Sequence, residues 1–312
     1  MSTYQISQSD EPPYPPKTAY VGGHPTPHTD IPICAVFIFL FALAIPVHLA
    51  LKRATKFPAV LIVVFCTLRI VSLVMRIAWA LHPNQLRVEI AAATFALAGV
   101  VLLYVLNLIL SRRFVRDYAI FGYRPSVKGV YRFGIFIIVA CLIMAVIVSS
   151  NTYFTRAPDI LQECRDILLA VIAILTVMAF VPVITVLVVW FFADEEAIDR
   201  EKTRFKRRVT MLVVTSLLLT LEAGFRCGTL YAARPVGREA WFNHRAAYYC
   251  LGFLLEILVV YLLVAVRFGH GFDLGGTVSS KMLGGAAVGK RSFLQKLREN
   301  VDTEEDVFGR SG

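Results

Sequence analysis

Seven long apolar runs separated by short polar stretches set the pattern of this chain. They cover residues 31–51, 57–81, 88–110, 133–150, 167–192, 209–232 and 246–268. A membrane-crossing helix needs about 20 mostly apolar residues, and runs of about 18 or more are candidates. Each run meets or approaches that length, and the connections between them are mostly too short to hold separate domains. The expected fold is therefore an all-α polytopic membrane protein, a bundle of seven transmembrane helices. The expected organisation is an N-terminal tail over 1–30, a membrane domain over 31–268 and a C-terminal tail over 269–312.

Composition agrees with that pattern. Apolar residues make up 57% and charged residues 17% of the 312, against about 45–50% and about 25% in soluble domains. Mean hydropathy is +0.65. The first 30 residues hold no basic start followed by a short apolar core, so the first run reads as a retained anchor and not as a cleaved signal.

The net charge of +10 is explained by where the basic residues fall. With seven spans, 22 of the 32 Lys and Arg lie on one side, seven on the other and three inside spans. Basic loops stay cytoplasmic, which puts the N-terminus outside and the C-terminus in the cytoplasm. The expected location is the plasma membrane, in contact with membrane lipids and their anionic headgroups; nucleic acid is not an expected partner.

The tails and loops give weaker signals. Residues 1–30 are polar and Pro-rich, which predicts a disordered extracellular segment. His24, His28 and Asp30 lie there, and a solvated linker is favoured over a metal site. The loop 111–132 is basic and aromatic and reads as a segment at the headgroups. The loop 193–208 has its acids first and its bases last, as in a helical extension of a neighbouring span. Residues 290–301 form a short amphipathic stretch suited to a membrane surface. Five of the six cysteines lie in or beside spans and read as small buried hydrophobes; Cys164 could pair with Cys227 or Cys250.

The candidate chemistry is a set of six ionisable residues inside spans: Arg69, Arg76, Glu89, Glu222, Arg226 and Glu256. A charge in hydrocarbon is retained when it is paired, faces water or snorkels to the surface. At a rise of about 1.5 Å per residue, Arg69, Glu222 and Glu256 fall near the midplane. Arg76 and Glu89 fall toward the outer end. Depth alone pairs Arg69 with Glu256 or Glu222, Arg76 with Glu89, and Arg226 with Glu222 within one helix. The functional reading is a substrate-binding charge network, to which Thr94, Asn107, Thr215, Ser216 and Thr220 could add hydrogen bonds. The structural reading is a set of ion pairs that fixes helix register.

Several classes lose their signatures. The third span starts without a cysteine, and Arg116–Asp117–Tyr118 has the wrong order for the acidic-Arg-aromatic switch of seven-helix receptors. The seventh span lacks both proline and lysine, which removes retinal attachment. Gly-rich phosphate loops and nucleophile elbows are missing, so neither an enzyme nor a cofactor is expected.

Two stretches carry a resemblance. The second to fourth spans include TLRIVSLVMRIAWALHPNQLRVEI and later FGYRP; the sixth and seventh include EAGFRCGTLYAARPVGREAWFNHR and LLEILVVYLL. These resemble fungal seven-span membrane proteins of unknown function and, more distantly, the RTA-like lipid-translocating exporters. The matching positions are Arg69, Arg76, Phe225, Arg226, Trp241 and Glu256, although here Glu222 precedes Arg226 instead of an acid following it. The resemblance implies a fungal membrane setting and lipid handling. Three functional readings follow: a transporter or lipid-translocating protein, a receptor or sensor with a cytoplasmic partner at its basic inner loops, and a membrane scaffold.

Overall fold

In hydrocarbon every backbone N–H and C=O must be satisfied within its own segment, which leaves the helix as the structure open to an isolated apolar run. The computed structural model describes residues 11–15, 18–50, 56–193, 198–199, 201–238 and 240–268. The expectations for 269–312, including the amphipathic stretch at 290–301, lie outside the described residues. Among the described residues six long continuous helices are present: α1 (Pro27–Ala50), α2 (Lys56–Leu81), α3 (Leu86–Tyr118), α4 (Pro125–Asn151), α5 (Pro158–Phe191) and α6 (Lys202–Tyr231). A seventh span, α7, is composite. It runs from an α-helical turn at Arg245–Tyr248 through a π-helical segment at Tyr249–Leu254 to an α-helix at Leu255–Phe268. No strand occurs among the described residues, only two isolated bridges, Thr18 to Pro235 and Ala119 to Ala193.

Among the described residues seven helices are thus long and apolar enough to cross a membrane, and the chain is a multi-pass integral membrane protein. Several helices outrun their apolar cores. The 33 residues of α3 and the 34 of α5 span about 50 Å at 1.5 Å per residue, well beyond a hydrocarbon core of about 30 Å. Charged and aromatic flanks continue the helix past the apolar limit because their side chains are soluble where the backbone emerges. The 111–132 segment is accordingly shared between the end of α3, a short turn and the start of α4, and Lys202, Arg204, Lys206, Arg207 and Arg208 open α6. Pro125 and Pro158 stand at the starts of α4 and α5, where a missing N–H costs nothing.

The helices with intramembrane charges are also the interior ones. Between 44% and 50% of the apolar windows of α2, α3, α6 and α7 is buried, against 22% for α1, α4 and α5. The α3 helix packs against α2, α4, α5 and α6. Large apolar side chains such as Phe39, Phe136, Ile147, Val177 and Trp190 face outward, where lipid tails would meet them.

The N-terminal reading needs correction. Helix α1 begins at Pro27, and the described residues before it, 11–15 and 18–26, are docked on the bundle. Tyr14 N donates to Tyr153 O (2.7 Å), Ala19 N to Arg234 O (2.8 Å) and Gly22 N to Asn243 O (3.0 Å). Composition predicts disorder when a segment cannot build its own core, but these residues borrow the surfaces of the α4–α5 and α6–α7 connections. Asn243 adds two further contacts by donating to the Ala19 and Tyr20 carbonyls.

Candidate functional site

The central charges meet. Arg69 on α2 and Glu256 on α7 are fully buried and form a direct ion pair. Arg69 Nη1 also donates to the Ala96 carbonyl of α3 at 2.7 Å. Its guanidinium lies 5.6 Å from the Phe65 ring and 5.2 Å from the Phe253 ring, a contact favourable to a desolvated cation. Gly99 makes room for this arrangement: a Cβ there would stand 2.8 Å from Arg69 Cζ.

On α6, Glu222 accepts from Arg226 Nη2 at 2.8 Å and from Nε at 3.2 Å, one helical turn apart. Arg226 Nη2 lies 3.9 Å from Glu256 Oε1, and Nη1 donates to the same Ala96 carbonyl at 3.5 Å. Two arginines and two glutamates from three helices therefore form one cluster around a single α3 carbonyl. Within it Arg69 Nε, Glu222 Oε2 and Glu256 Oε2 are buried without a hydrogen-bond partner.

Arg226 is the cluster member with a partly exposed side chain, at 26%. It lines a cavity of about 120 Å³ with Val21, Ala96, Phe225, Thr229, Tyr248, Leu251, Gly252 and Phe253. The wall on the α7 side is largely the π-helical segment, a widened turn of a kind frequent at functional sites. A polar layer within the bundle is formed by Asn107, which donates to Ser216 Oγ at 2.7 Å and accepts from Thr215 at 3.1 Å. Thr220 Oγ1, by contrast, is buried without a partner.

The expected Arg76–Glu89 pair is not formed. Arg76 instead contacts Asp30 at the start of α1, with Nη2 at 3.1 Å and Nε at 3.2 Å. It also donates to Tyr249 Oη at 3.0 Å and to the Gly22 carbonyl at 3.0 Å, and its guanidinium sits 4.3 Å from the Tyr248 ring. Asp30 is fully buried and accepts in addition from Tyr249 Oη (2.7 Å) and Thr26 N (2.9 Å), with Arg245 Nε at 3.4 Å. Gly22 adopts φ +87°, and a Cβ there would stand 2.7 Å from Tyr248.

Glu89 accepts the Tyr20 hydroxyl and a hydrogen bond from Tyr153. Burial first, and then the neighbouring Glu89 carboxylate, push both phenols above their ordinary range. Both therefore stay protonated donors.

Asp30 was read as part of a tail. Its signal was Thr26 followed by Pro27, a helix start that places an acid in the first turn, where the helix dipole favours it. Its neighbours His24 and Tyr20 pack edge-on, 5.0 Å between ring centroids. Among the described residues no group of three or more His, Cys, Asp or Glu is placed to hold a metal ion. All six cysteines are unpaired; Cys164 lies 3.7 Å from Asn151 Nδ2.

A third ionic group ties the other ends of α3 and α6. Arg208 Nη1 donates to Asp117 Oδ2 at 2.7 Å, and its guanidinium lies 5.4 Å from the Tyr118 ring. Neither residue sits inside an apolar run, so hydropathy and depth give no signal for this pair.

No curated protein and no solved structure matches the chain. Residues 193–272, which hold Glu222, Arg226 and Glu256 but neither Arg69 nor Asp30, match the family model described as "Protein of unknown function (DUF3112)".

Proposed function

We propose that the protein is a transporter or lipid-translocating protein whose substrate places an anionic group beside Arg226. The observation that carries this reading is the partial exposure of Arg226 to a cavity while its charge partners are sealed. A cavity near 150 Å³ accepts a molecule as small as benzene, so about 120 Å³ suits a carboxylate or phosphate group and not a whole lipid. Any acyl chains would stay in the bilayer beside the exposed apolar faces. The resemblance to RTA-like exporters and to fungal seven-span proteins supports lipid handling, and the basic-residue asymmetry supports an outside N-terminus and a cytoplasmic C-terminus.

The test is lipid translocation by the purified full-length protein in liposomes containing fluorescently labelled phosphatidylserine, read by quenching of the outer leaflet. The intact protein is expected to speed exchange between leaflets. Arg226→Gln should slow it about tenfold, as loss of a charge-assisted contact implies, with helicity retained. Full activity of that variant would overturn the assignment.

A sensor reading draws on the Asp117–Arg208 tie between α3 and α6, whose release would free two basic helix ends for a cytoplasmic partner. That reading requires the liposome assay to be flat for the intact protein.

A further inference from the structure

Glu222 and Glu256 come from different helices and are both fully buried. One guanidinium serves both through Arg226 Nη2, 2.8 Å from Glu222 Oε1 and 3.9 Å from Glu256 Oε1. The remaining oxygen of each, Oε2, is buried and meets no donor. A buried carboxylate oxygen without a donor carries its full desolvation cost, and here two of them share one site. Two carboxylates at such separations resist joint ionisation and hold a proton between them.

We infer that Glu222 and Glu256 form a proton-binding pair, with one proton held between the two carboxyl groups. The four-residue cluster then carries a net charge of +1 and presents it to the cavity through Arg226. This inference rests on the placement of the substrate's anionic group at Arg226 and adds a coupled proton to it. An anion arriving at Arg226 neutralises the excess charge and tightens the hold on the proton; its departure loosens that hold. Anion and proton are thus coupled at one cluster: the pair holds its proton more firmly while the anion is bound, and the proton moves onto and off a carboxylate with no bond to carbon made or broken.

The groups around the pair fit this accounting. Helix α2 contributes Arg69 and Cys66, α3 contributes Tyr104 and α6 contributes Arg226. A thiol and a phenol are neutral at pH 7 at their ordinary values, so the two arginines are the charges that face the carboxyls. Helix α1 packs on α7 and carries Asp30, committed to Arg76, near one end and His48 near the other. Helix α5 packs on α6 and keeps its ionisable residues, Asp159 to Asp166, in its first turns.

The test is infrared difference spectroscopy of the full chain in phosphatidylcholine nanodiscs at neutral pH, with thermal unfolding in parallel. A protonated-carboxyl C=O band is expected in the intact protein. It should be lost in Glu222→Gln and in Glu256→Gln and kept in Glu89→Gln. Glu222→Gln leaves the cluster at +1, so its thermal midpoint should match that of the intact protein; the double variant, at +2, should unfold at lower temperature. A missing band in the intact protein, or a band that survives both single substitutions, overturns the proton pair. Neither outcome touches the Arg226 translocation assay, whose failure with the band intact would remove the substrate reading alone.

Discussion

Two ionic clusters in the same bundle are built on opposite plans. The central one joins Arg69, Glu256, Glu222 and Arg226, all from within spans, and the acid facing Arg69 has few alternatives. The terminal one joins Arg76 to Asp30, but Asp30 also holds Tyr249, the Thr26 amide and Arg245, while Arg76 holds the Gly22 carbonyl and lies over Tyr248. The difference follows from depth. At the centre, charged helix residues find few polar groups besides each other. Near a helix end, the returning N-terminal segment brings backbone carbonyls, amides and phenols into range, so pairing is shared among many groups. Redundancy at one end and exclusivity at the centre give the two clusters different sensitivities.

The largest effect should come from Arg69→Met. Removing one partner of a fully buried pair costs about 3–5 kcal/mol, here because Glu256 loses its direct partner; thermal unfolding in nanodiscs should show it, and Arg69→Met with Glu256→Leu should recover most of the loss. A smaller loss is expected for Arg76→Gln, about 1.5–3 kcal/mol, because Asp30 keeps three other donors. If the two single variants proved equally damaging, the distinction between exclusive and redundant pairing would fail.

Gly99→Ala sharpens the comparison without changing charge. The added Cβ would fall 2.8 Å from the Arg69 guanidinium, which is held by Glu256 and Ala96 O and cannot swing into solvent. Overpacking of this kind costs about 1–3 kcal/mol. Gly224→Ala, on α6 with open space at its Cβ, should be neutral or slightly stabilising. Equal midpoints for the two alanine variants would mean that Arg69 has room to move.

The success and failure of depth matching have physical causes. Depth narrowed the partner of Arg69 to Glu256 or Glu222 because all three fall at mid-membrane, and packing chose Glu256; Arg226 with Glu222 was legible because four residues make one helical turn. Arg76 with Glu89 was not formed although the depths agree, because Asp30 and Tyr249 reach Arg76 while Tyr20 and Tyr153 occupy Glu89. Nothing in hydropathy reports that residues 18–26 fold back over the bundle. The Asp117–Arg208 tie escaped for a related reason: the helices extend beyond their apolar limits, so residues assigned to loops meet across α3 and α6.

From the residues alone came the number of spans, their approximate limits and the depth of each intramembrane charge. Those properties follow from a solvent that tests every residue separately for apolarity. Helix packing alone decided which charges face one another, that the Ala96 carbonyl joins two arginines, and that a π-helical turn of α7 lines the cavity at Arg226. These depend on rotation about each helix axis and on where a polar segment finds a surface, which are set by neighbours and not by any run of sequence.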